Sequence, residues 1–208
     1  MAGVGVQKNC NWGSVGGSGL ILTDREIQIA IERELIKIDP RPTEKAFSST
    51  SVDLTLDPSI TKFKLQKAGV ETVIDPNHVD FSPENSLADL TDTIEIPKDG
   101  YPLQPKTLVL GWTREYIDLK TASRLAGRVE GKSSLARLGL GIHVTAPTIH
   151  SGFNGRIRLE MINHGVLPIR LRSEMRICQL IFEATLGTPE RGYKGQFSGQ
   201  TAPPPKRG

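Results

Sequence analysis

The strongest constraint on the fold is a series of short segments in which apolar and polar residues alternate. Residues 156–162 alternate with a period of two, which places Glu160 on the polar face of a predicted strand. Similar segments over residues 51–56, 125–130 and 176–182 are separated by turn residues. Many short strands of this kind are typical of an all-β sandwich or barrel. Regular alternation of strands with helices is missing, which argues against Rossmann and P-loop folds.

One domain accounts for most of the chain, and each end differs from it in composition. We expect the domain over residues 20–186, preceded by a Gly-rich stretch over residues 1–19 that is either a flexible leader or a remnant of cloning. The motif TDRE at residues 23–26 matches a capping box, and the spacing of apolar residues after it predicts a helix over residues 24–35. Residues 187–208 are rich in Gly, Pro, Gln and Ser, which predicts a mobile C-terminal arm.

Composition and charge argue against several classes of protein. The chain has 208 residues, a formal net charge of +3 and 37% hydrophobic residues. That charge is too small to indicate a nucleic-acid-binding protein, and no run of 18 apolar residues is present that would span a membrane. Cys10 and Cys178 lie in unrelated surroundings, which favours a cytoplasmic protein over a disulfide framework. The zinc-deaminase pattern of His-x-Glu with Pro-Cys-x-x-Cys is absent, so we expect no zinc.

The densest group of chemically active residues is GKSSLARLG at residues 131–139. A short helix is predicted over residues 133–138, closed by Gly139, and the free N–H groups at its start suit phosphate oxygens. Arg137 lies one turn after the two serines and shares their face. The glycine spacing of a Walker motif is not met. A capped surface helix with scattered charge is an equally good interpretation of these residues alone.

Glu160 is the candidate for proton transfer. It stands on a predicted strand between apolar Leu159 and Met161, where loss of hydration would raise the pKa of its carboxyl and suit it to shuttling protons. The alternative is a solvated glutamate, or one that forms an ion pair with Arg158.

Two histidines and a basic run carry no clear chemistry by themselves. Residues 142–149 are predicted to be extended, and on a straight strand His143 and His150 would face opposite sides, which argues against a shared metal site. The basic run at residues 170–176 is typical of a solvated face. The polar stretch over residues 68–100 predicts short strands and a long surface excursion.

Several segments resemble the dCTP deaminase family, which belongs to the trimeric dUTPase-like superfamily. They are GRVEGKSSLARLGLGIHVTA, GFNGRIRLEMINHG and LPIRLRSEMRICQLIFE, with LILTDREIQIAI and SSTSVDLTL nearer the N-terminus. The combination of GKSSLARLGL with a downstream GxIxLE strand is specific to this superfamily. The resemblance implies an all-β fold, a distorted β-barrel of the dUTPase-like (β-clip) type with a short N-terminal helix and a flexible C-terminal arm. It also implies a homotrimer with active sites between subunits.

The resemblance further implies roles for individual residues. Glu160 would activate water for attack on cytosine C4 and deliver a proton to the departing ammonia, Ser133 would hold that water, and Arg137 would support the base pocket. Backbone groups near Ala146 and across residues 158–160 would read the pyrimidine edge. The implied substrate-binding residues are Lys132, Ser134, Leu135, Ala136, Ala146, Thr148, His150, Arg158, Leu159, Gln179, Tyr193, Gln196 and Gln200.

The sequence departs from the family pattern at several of these positions. His150 stands where relatives carry an aspartate that holds the deoxyribose 3′-hydroxyl, and a neutral histidine bonds a hydroxyl without supplying a fixed negative charge. Thr148 replaces an arginine of some monofunctional deaminases. Gln196 replaces a usual lysine, which weakens phosphate binding unless Lys194 substitutes for it. Gln179, in contrast, matches bifunctional and dUTPase-type members, so the departures leave the product open.

We therefore expect a dCTP deaminase that releases dUTP and ammonia with a glutamate-activated water. A bifunctional enzyme giving dUMP and pyrophosphate, a dUTPase, and a non-catalytic nucleotide-binding homologue stay open as alternatives. Mg²⁺ would arrive on the triphosphate rather than in a protein cage. The implied partners are dCTP and dUTP, with dTTP as a candidate inhibitor, and neither nucleic acid nor a membrane.

Overall fold

The computed structural model describes residues 20–64, 73–193 and 199–201. The predicted leader over residues 1–19 and the arm residues 194–198 and 202–208 lie outside the described residues. Within the described ranges the strands are β1 (Leu20–Ile21), β2 (Ile36–Asp39), β3 (Phe47–Ser48), β4 (Ser51–Thr55), β5 (Ser59–Phe63), β6 (Thr91–Glu95), β7 (Tyr101–Leu103), β8 (Leu108–Leu119), β9 (Leu125–Gly131), β10 (Leu140–Ile142), β11 (Thr148–Ile149), β12 (Asn154–Asn163), β13 (Ile169–Leu171) and β14 (Arg176–Ala184). The helices are α1 (Asp24–Glu32), α2 (Pro83–Leu90) and α3 (Ser133–Ala136), with 3₁₀ turns at Glu44–Ala46 and Thr121–Ser123.

Two six-stranded sheets form the body of the domain. One has the order β11-β9-β14-β4-β3 with β1 added on β14, and the other has the order β10-β12-β8-β5-β6 with β2 added on β8. Strands β13 and β7 form a separate pair. The predicted all-β class is confirmed, but the sheets are open and do not close into a barrel in the part of the chain that the structure describes.

The two sheets share one hydrophobic core that the period-two pattern builds. Along β12 the side chains of Ile157, Leu159 and Met161 are buried, while the residues between them are half-buried on the opposite face. Leu180 and Phe182 of β14 are fully buried in the same cluster. The predicted alternation over residues 156–162 is therefore confirmed, and Glu160 lies on the face that does not enter the core.

Helix α1 is shorter than predicted. It ends at Glu32 because Glu34 adopts a left-handed backbone conformation with φ of 57° and the Leu35 N–H bonds back to the Ala30 carbonyl. Thr23 takes the N-cap position, but its hydroxyl donates to the Glu26 carboxylate instead of accepting the Glu26 N–H. The helix was thus placed correctly, while its end and the details of its cap were wrong.

The polar region before residue 100 contains a helix that the sequence did not predict, followed by one of the short strands that it did predict. Helix α2 begins after Ser82, whose hydroxyl accepts the Asn85 N–H at 3.4 Å, and Pro83 occupies the first turn. Strand β6 follows at once and pairs with β5. None of the helices in the described ranges is both long and apolar enough to cross a bilayer.

The prediction of one extended segment over residues 142–149 is wrong. Strand β10 belongs to one sheet and ends at Ile142, whereas β11 belongs to the other sheet and begins at Thr148. His143 has a φ of 55°, in the left-handed region, which turns the chain out of β10. Residues 143–147 therefore cross between the sheets, and His143 and His150 are not on one straight strand.

Candidate active site

The GKSSLARLG block forms a shorter helix than predicted and lies on the surface. Helix α3 covers only Ser133–Ala136, with Lys132 as its N-cap. The chain turns at Gly139, where φ is +95° and an added Cβ would lie 2.4 Å from the Gly165 nitrogen, so glycine is required there. Residues Ser133, Ser134, Ala136 and Arg137 are exposed, while Leu135 is half-buried and packs against the core.

Lys132 is held by a buried carboxylate from a neighbouring strand. Its ammonium group pairs with Asp53 of β4, whose side chain is only 6% exposed. Arg176 of β14 approaches the other carboxylate oxygen, with 3.5 Å between its Nη1 and Asp53 Oδ2. Two cations therefore cover the buried carboxylate. Lys132 was predicted to bind substrate, whereas Arg176, in the basic run, was assigned no function.

Gln179 lies next to this ion cluster. The register of the sheet aligns it with Asp53 on one side and with Glu130 on the other. The Ser51 hydroxyl donates to Gln179 Oε1 at 3.3 Å, which leaves the amide nitrogen as a donor.

Glu160 forms a close pair with His143. The two residues meet because β10 and β12 pair in antiparallel register up to Ile142, and the His143 N–H then donates to the Glu160 carbonyl at 2.8 Å. His143 Nδ1 lies 3.0 Å from Glu160 Oε2, although the two groups are not aligned as a good hydrogen bond. The imidazole is 8% exposed and the carboxylate 40% exposed, so a buried ring contacts a half-open acid.

The pKa of Glu160 is lowered, contrary to the prediction from its apolar neighbours. Partial burial acts to raise this pKa, but the contacts with His143, a backbone hydrogen bond and the charge of Arg158 outweigh it and favour the ionised form. The prediction failed because it considered the flanking side chains of the strand, which enter the core, and not the cations on the carboxylate's own face.

Arg158 lies on the same face of β12 and is stacked on an aromatic ring. Its guanidinium carbon is 4.5 Å from the centre of the Trp112 ring, which is the register partner on β8. Burial lowers the pKa of Arg158 to about 10, and the neighbouring Glu160 opposes this shift. Arg158 thus stays charged at neutral pH and presents that charge beside Glu160.

Beyond the end of β10, the strand that carries Glu160 has an unpaired edge, where its backbone N–H and C=O groups are available to bond the edge of a flat ligand. The side chain of Leu159 is fully buried, and its register partner on β8 is Gly111. Strand β10 ends opposite Met161, and the Glu160 carbonyl points towards the edge of β12 that β10 occupies. By the alternation of the strand, the backbone groups of Arg158 point the same way, beyond the end of β10.

His150 and Tyr193 are stacked on each other. Their ring centres are 5.4 Å apart with an interplanar angle of 14°, and Phe153 adds a tilted contact to Tyr193 at 6.0 Å. The Tyr193 N–H donates to the Ser151 carbonyl at 3.0 Å. Tyr193 therefore fixes the start of the C-terminal arm beside His150. Ala146 and Thr148 are exposed on the segment that leads to it.

The described end of the arm also lies against its own chain. Gln200 forms an isolated parallel bridge with Gly155, accepts the Arg156 N–H at 3.0 Å and returns a side-chain bond to the Arg156 carbonyl at 2.8 Å. Gln196, the remaining arm residue predicted to bind substrate, lies outside the described residues.

One chain does not bring all the predicted catalytic residues together. Neither Ser133 nor Arg137 forms a hydrogen bond or ion pair with Glu160 within residues 20–64, 73–193 and 199–201. Across the same ranges, no group of three or more His, Cys, Asp and Glu side chains is placed to hold a metal ion.

No site role was assigned from the sequence to four residues that the structure places in contact with the candidate site residues or with their ion-pair partners. They are Asp53, Trp112, His143 and Arg176. The charged Asp53 within the otherwise apolar SVDL segment was the one local signal, since a buried carboxylate requires a partner. The others depend on strand register, which the sequence pattern did not fix.

Comparisons with known proteins identify the family of this chain. A family model described as dCTP deaminase-like matches residues 21–185. A dCTP deaminase of Marinomonas is 40% identical over 181 residues, covering 83% of this chain and 87% of the relative. A dCTP deaminase of Rhodospirillum rubrum is 36% identical over 196 residues, covering 89% and 95%. A dUMP-forming dCTP deaminase of Methanobrevibacter smithii is 36% identical over 170 residues, covering 81% and 82%.

The fold also matches a solved structure. The 2′-deoxycytidine 5′-triphosphate deaminase of Agrobacterium tumefaciens aligns with a TM-score of 0.61 at 18% identity, covering 81% of this chain and 49% of that one. This likeness confirms a fold of the dUTPase-like, β-clip type. With the family match over most of its length, the chain belongs to the dCTP deaminase-like family.

Proposed function

We propose that this protein deaminates dCTP to dUTP and ammonia, with Glu160 as the group that moves protons. The observation that carries the proposal is the Glu160–His143 pair, with 3.0 Å between the carboxylate oxygen and Nδ1, on a strand whose edge is open beside it. Membership of the dCTP deaminase-like family supplies the class of substrate.

The lowered pKa of Glu160 suits the first step. At neutral pH the carboxylate is ionised and takes a proton from a water molecule, which attacks C4 of the cytosine ring. The protonated Glu160 then gives its proton to the amino group, ammonia leaves as the C4 carbonyl forms, and the remaining proton of the attacking water ends on N3 of the ring. His143 orients the carboxylate, and Arg158 adds a fixed positive charge beside it.

A second protomer completes the site in this proposal. Ser133 and Arg137 are exposed and form no hydrogen bond or ion pair with Glu160 among the described residues, so in this proposal a neighbouring copy supplies them to hold the water and the base. Four exposed apolar side chains on this block and on nearby loops support burial against another copy. They are Leu138, Val144, Val166 and Leu167, at 63%, 55%, 88% and 72% exposure. A homotrimer is the assembly proposed for the family fold.

The triphosphate is bound at the other end of the site. Lys132 and the adjacent serine hydroxyls supply donors for its oxygens, and Mg²⁺ enters on the nucleotide as part of the substrate. Backbone groups of Arg158 at the open strand edge read the edge of the cytosine ring, and His150 bonds the deoxyribose 3′-hydroxyl.

A second candidate function continues the reaction to dUMP and pyrophosphate. It is favoured by relatives whose names specify a dUMP-forming dCTP deaminase and by Gln179, which lies beside Asp53 and the Lys132 end of the site. His150 weighs against it, because this position carries no carboxylate that could activate an attacking water.

The test is product analysis with a matched pair of variants. Wild-type protein incubated with dCTP and Mg²⁺ is expected to release dUTP and ammonia, and Glu160→Gln is expected to lose about 10²- to 10⁴-fold in rate. Glu95→Gln, an exposed glutamate at the end of β6, serves as the control and is expected to keep full activity. Unchanged deamination by Glu160→Gln would remove this residue from its role, and pyrophosphate release would establish the second function.

A further inference from the structure

The two cations around Asp53 form a positively charged group that faces solvent. Asp53 is 6% exposed, whereas the side chains of Lys132 and Arg176 are 23% and 43% exposed. A second buried carboxylate, Glu115, accepts hydrogen bonds from the N–H and hydroxyl of Thr55, the register partner of Arg176. Because both carboxylates are buried while the two cations are partly exposed, the charged groups that the cluster presents to solvent are the cations.

Arg176 keeps donors available in this arrangement. The contact between its guanidinium and Asp53 is long, at 3.5 Å, and is the only hydrogen bond or ion pair that this guanidinium forms in the described ranges of the chain. Lys132 forms the shorter contact with Asp53 and already neutralises most of the carboxylate's field. Arg176 is therefore not needed to satisfy Asp53, and its forked guanidinium is free to bind an anion bidentately.

The neighbouring side chains present donors of the same kind. The amide nitrogen of Gln179 lies on the strand position aligned with Asp53, and the exposed hydroxyls of Ser133 and Ser134 directly follow Lys132. Such a set of cationic and neutral donors fits the oxygens of a polyphosphate.

We propose that Arg176 is a second cationic residue of the triphosphate subsite, acting with Lys132 across Asp53. The proposal rests on the proposed function, in which Lys132 binds the phosphates of the nucleotide. Asp53 is a positioning residue in this arrangement, since it fixes both cations without touching the ligand. The ligand class is the di- or triphosphate group of a nucleotide, and the base plays no part in the contact.

The test measures binding of sodium tripolyphosphate by titration calorimetry, which does not depend on deaminase activity. Arg176→Gln is expected to weaken binding about ten- to a hundredfold, the range for loss of charged hydrogen bonds. Arg172→Gln is the matched control: this arginine belongs to the same basic run, but its guanidinium bonds the Lys98 carbonyl. Wild-type affinity is expected for that control.

Wild-type affinity in Arg176→Gln, or an equal loss in Arg172→Gln, would overturn the proposal. Thermal unfolding checks the fold, which we expect to survive because Asp53 keeps Lys132. Should Arg176→Gln not fold, Arg176→Lys keeps the charge and loses the fork, and its affinity is expected to fall several-fold. An unchanged affinity there would equally refute the role.

A kinetic comparison separates this proposal from the proposed function. If dCTP is deaminated, Arg176→Gln is expected to raise the KM for dCTP by at least about tenfold while leaving the rate with deoxycytidine unchanged. If dCTP is not deaminated at all, the proposed function fails, and loss of tripolyphosphate binding in the variant still supports the subsite.

Discussion

Mixing two inactive variants tests whether the active site is shared between chains. Glu160 lies half-exposed on β12, while exposed Arg137 follows α3 and forms no hydrogen bond or ion pair with Glu160 in the described ranges. If a neighbouring copy supplies Arg137, then Glu160→Gln and Arg137→Ala each destroy every site of a homotrimer. A mixed trimer, however, contains sites in which an intact Glu160 meets an intact Arg137 from the next chain.

The size of the recovery follows from that geometry. With equal amounts and random assembly, half of the chains carry Glu160 and half carry Arg137, so about one quarter of the sites are intact. We therefore expect about one quarter of wild-type activity, measured as ammonia release from dCTP after the two variants are unfolded together and refolded. Each variant alone should retain no more than about one part in a hundred.

A control pair makes the result decisive. Ser133→Ala and Arg137→Ala alter the same block, so every site built from these two variants lacks one of the groups, and mixing them should restore nothing. Native mass spectrometry establishes that mixed assemblies form. Absence of recovery from the Glu160→Gln and Arg137→Ala mixture, in assemblies shown to be mixed, would refute a shared site.

Three further changes probe single contacts. His143→Ala removes a cause of the lowered pKa of Glu160, so that pKa rises and the acid limb of the kcat/KM profile should move to higher pH; an unmoved limb would contradict the pairing. Phe182→Ala should cost about 3–5 kcal/mol in the free energy of unfolding because the ring is fully buried, whereas Phe63→Ala, at 38% exposure, should cost far less in the same denaturant titration. Gly152→Ala should displace the start of the C-terminal arm, because Gly152 has a φ of +85° and an added Cβ would lie 2.7 Å from the backbone nitrogen of Tyr193. Unchanged protection of the arm from protease would contradict this contact.

The body of the fold was predictable because burial follows the strand period. Residues 156–162 alternate strictly, and β12 buries one face of that pattern in the core while the other stays half-open. The end of α1 and the break after β10 were not predictable in the same way. Glu34 and His143 both adopt positive φ without being glycine, and such conformations are imposed by tertiary packing and not by local preference.

The elements that carry the candidate site residues were predictable from the sequence, but the contacts between these residues were not. The sequence motifs correctly placed Lys132 at the start of the α3 segment and Glu160 on strand β12. Their ion-pair partners, Asp53 and His143, come from other parts of the chain. Asp53 reaches Lys132 because β4 and β9 both pair with β14, and His143 reaches Glu160 because Ile142 pairs with Met161. Register of this kind is fixed by packing across the sheet, so periodicity alone does not supply it.

The lowered pKa of Glu160 in a single chain is one reason to expect that the proposed reaction needs an assembled site. An acid held ionised by His143 and Arg158 accepts a proton readily, but the second half of the proposed reaction requires it to give that proton away. With 40% of the side chain open to water, a single chain favours only the first half. In the proposed assembly, a neighbouring copy and a nucleotide would cover that face and remove water, which would raise the pKa of the carboxyl towards the value that both halves need. A chain kept monomeric should therefore bind phosphate through Lys132 and still fail to release ammonia.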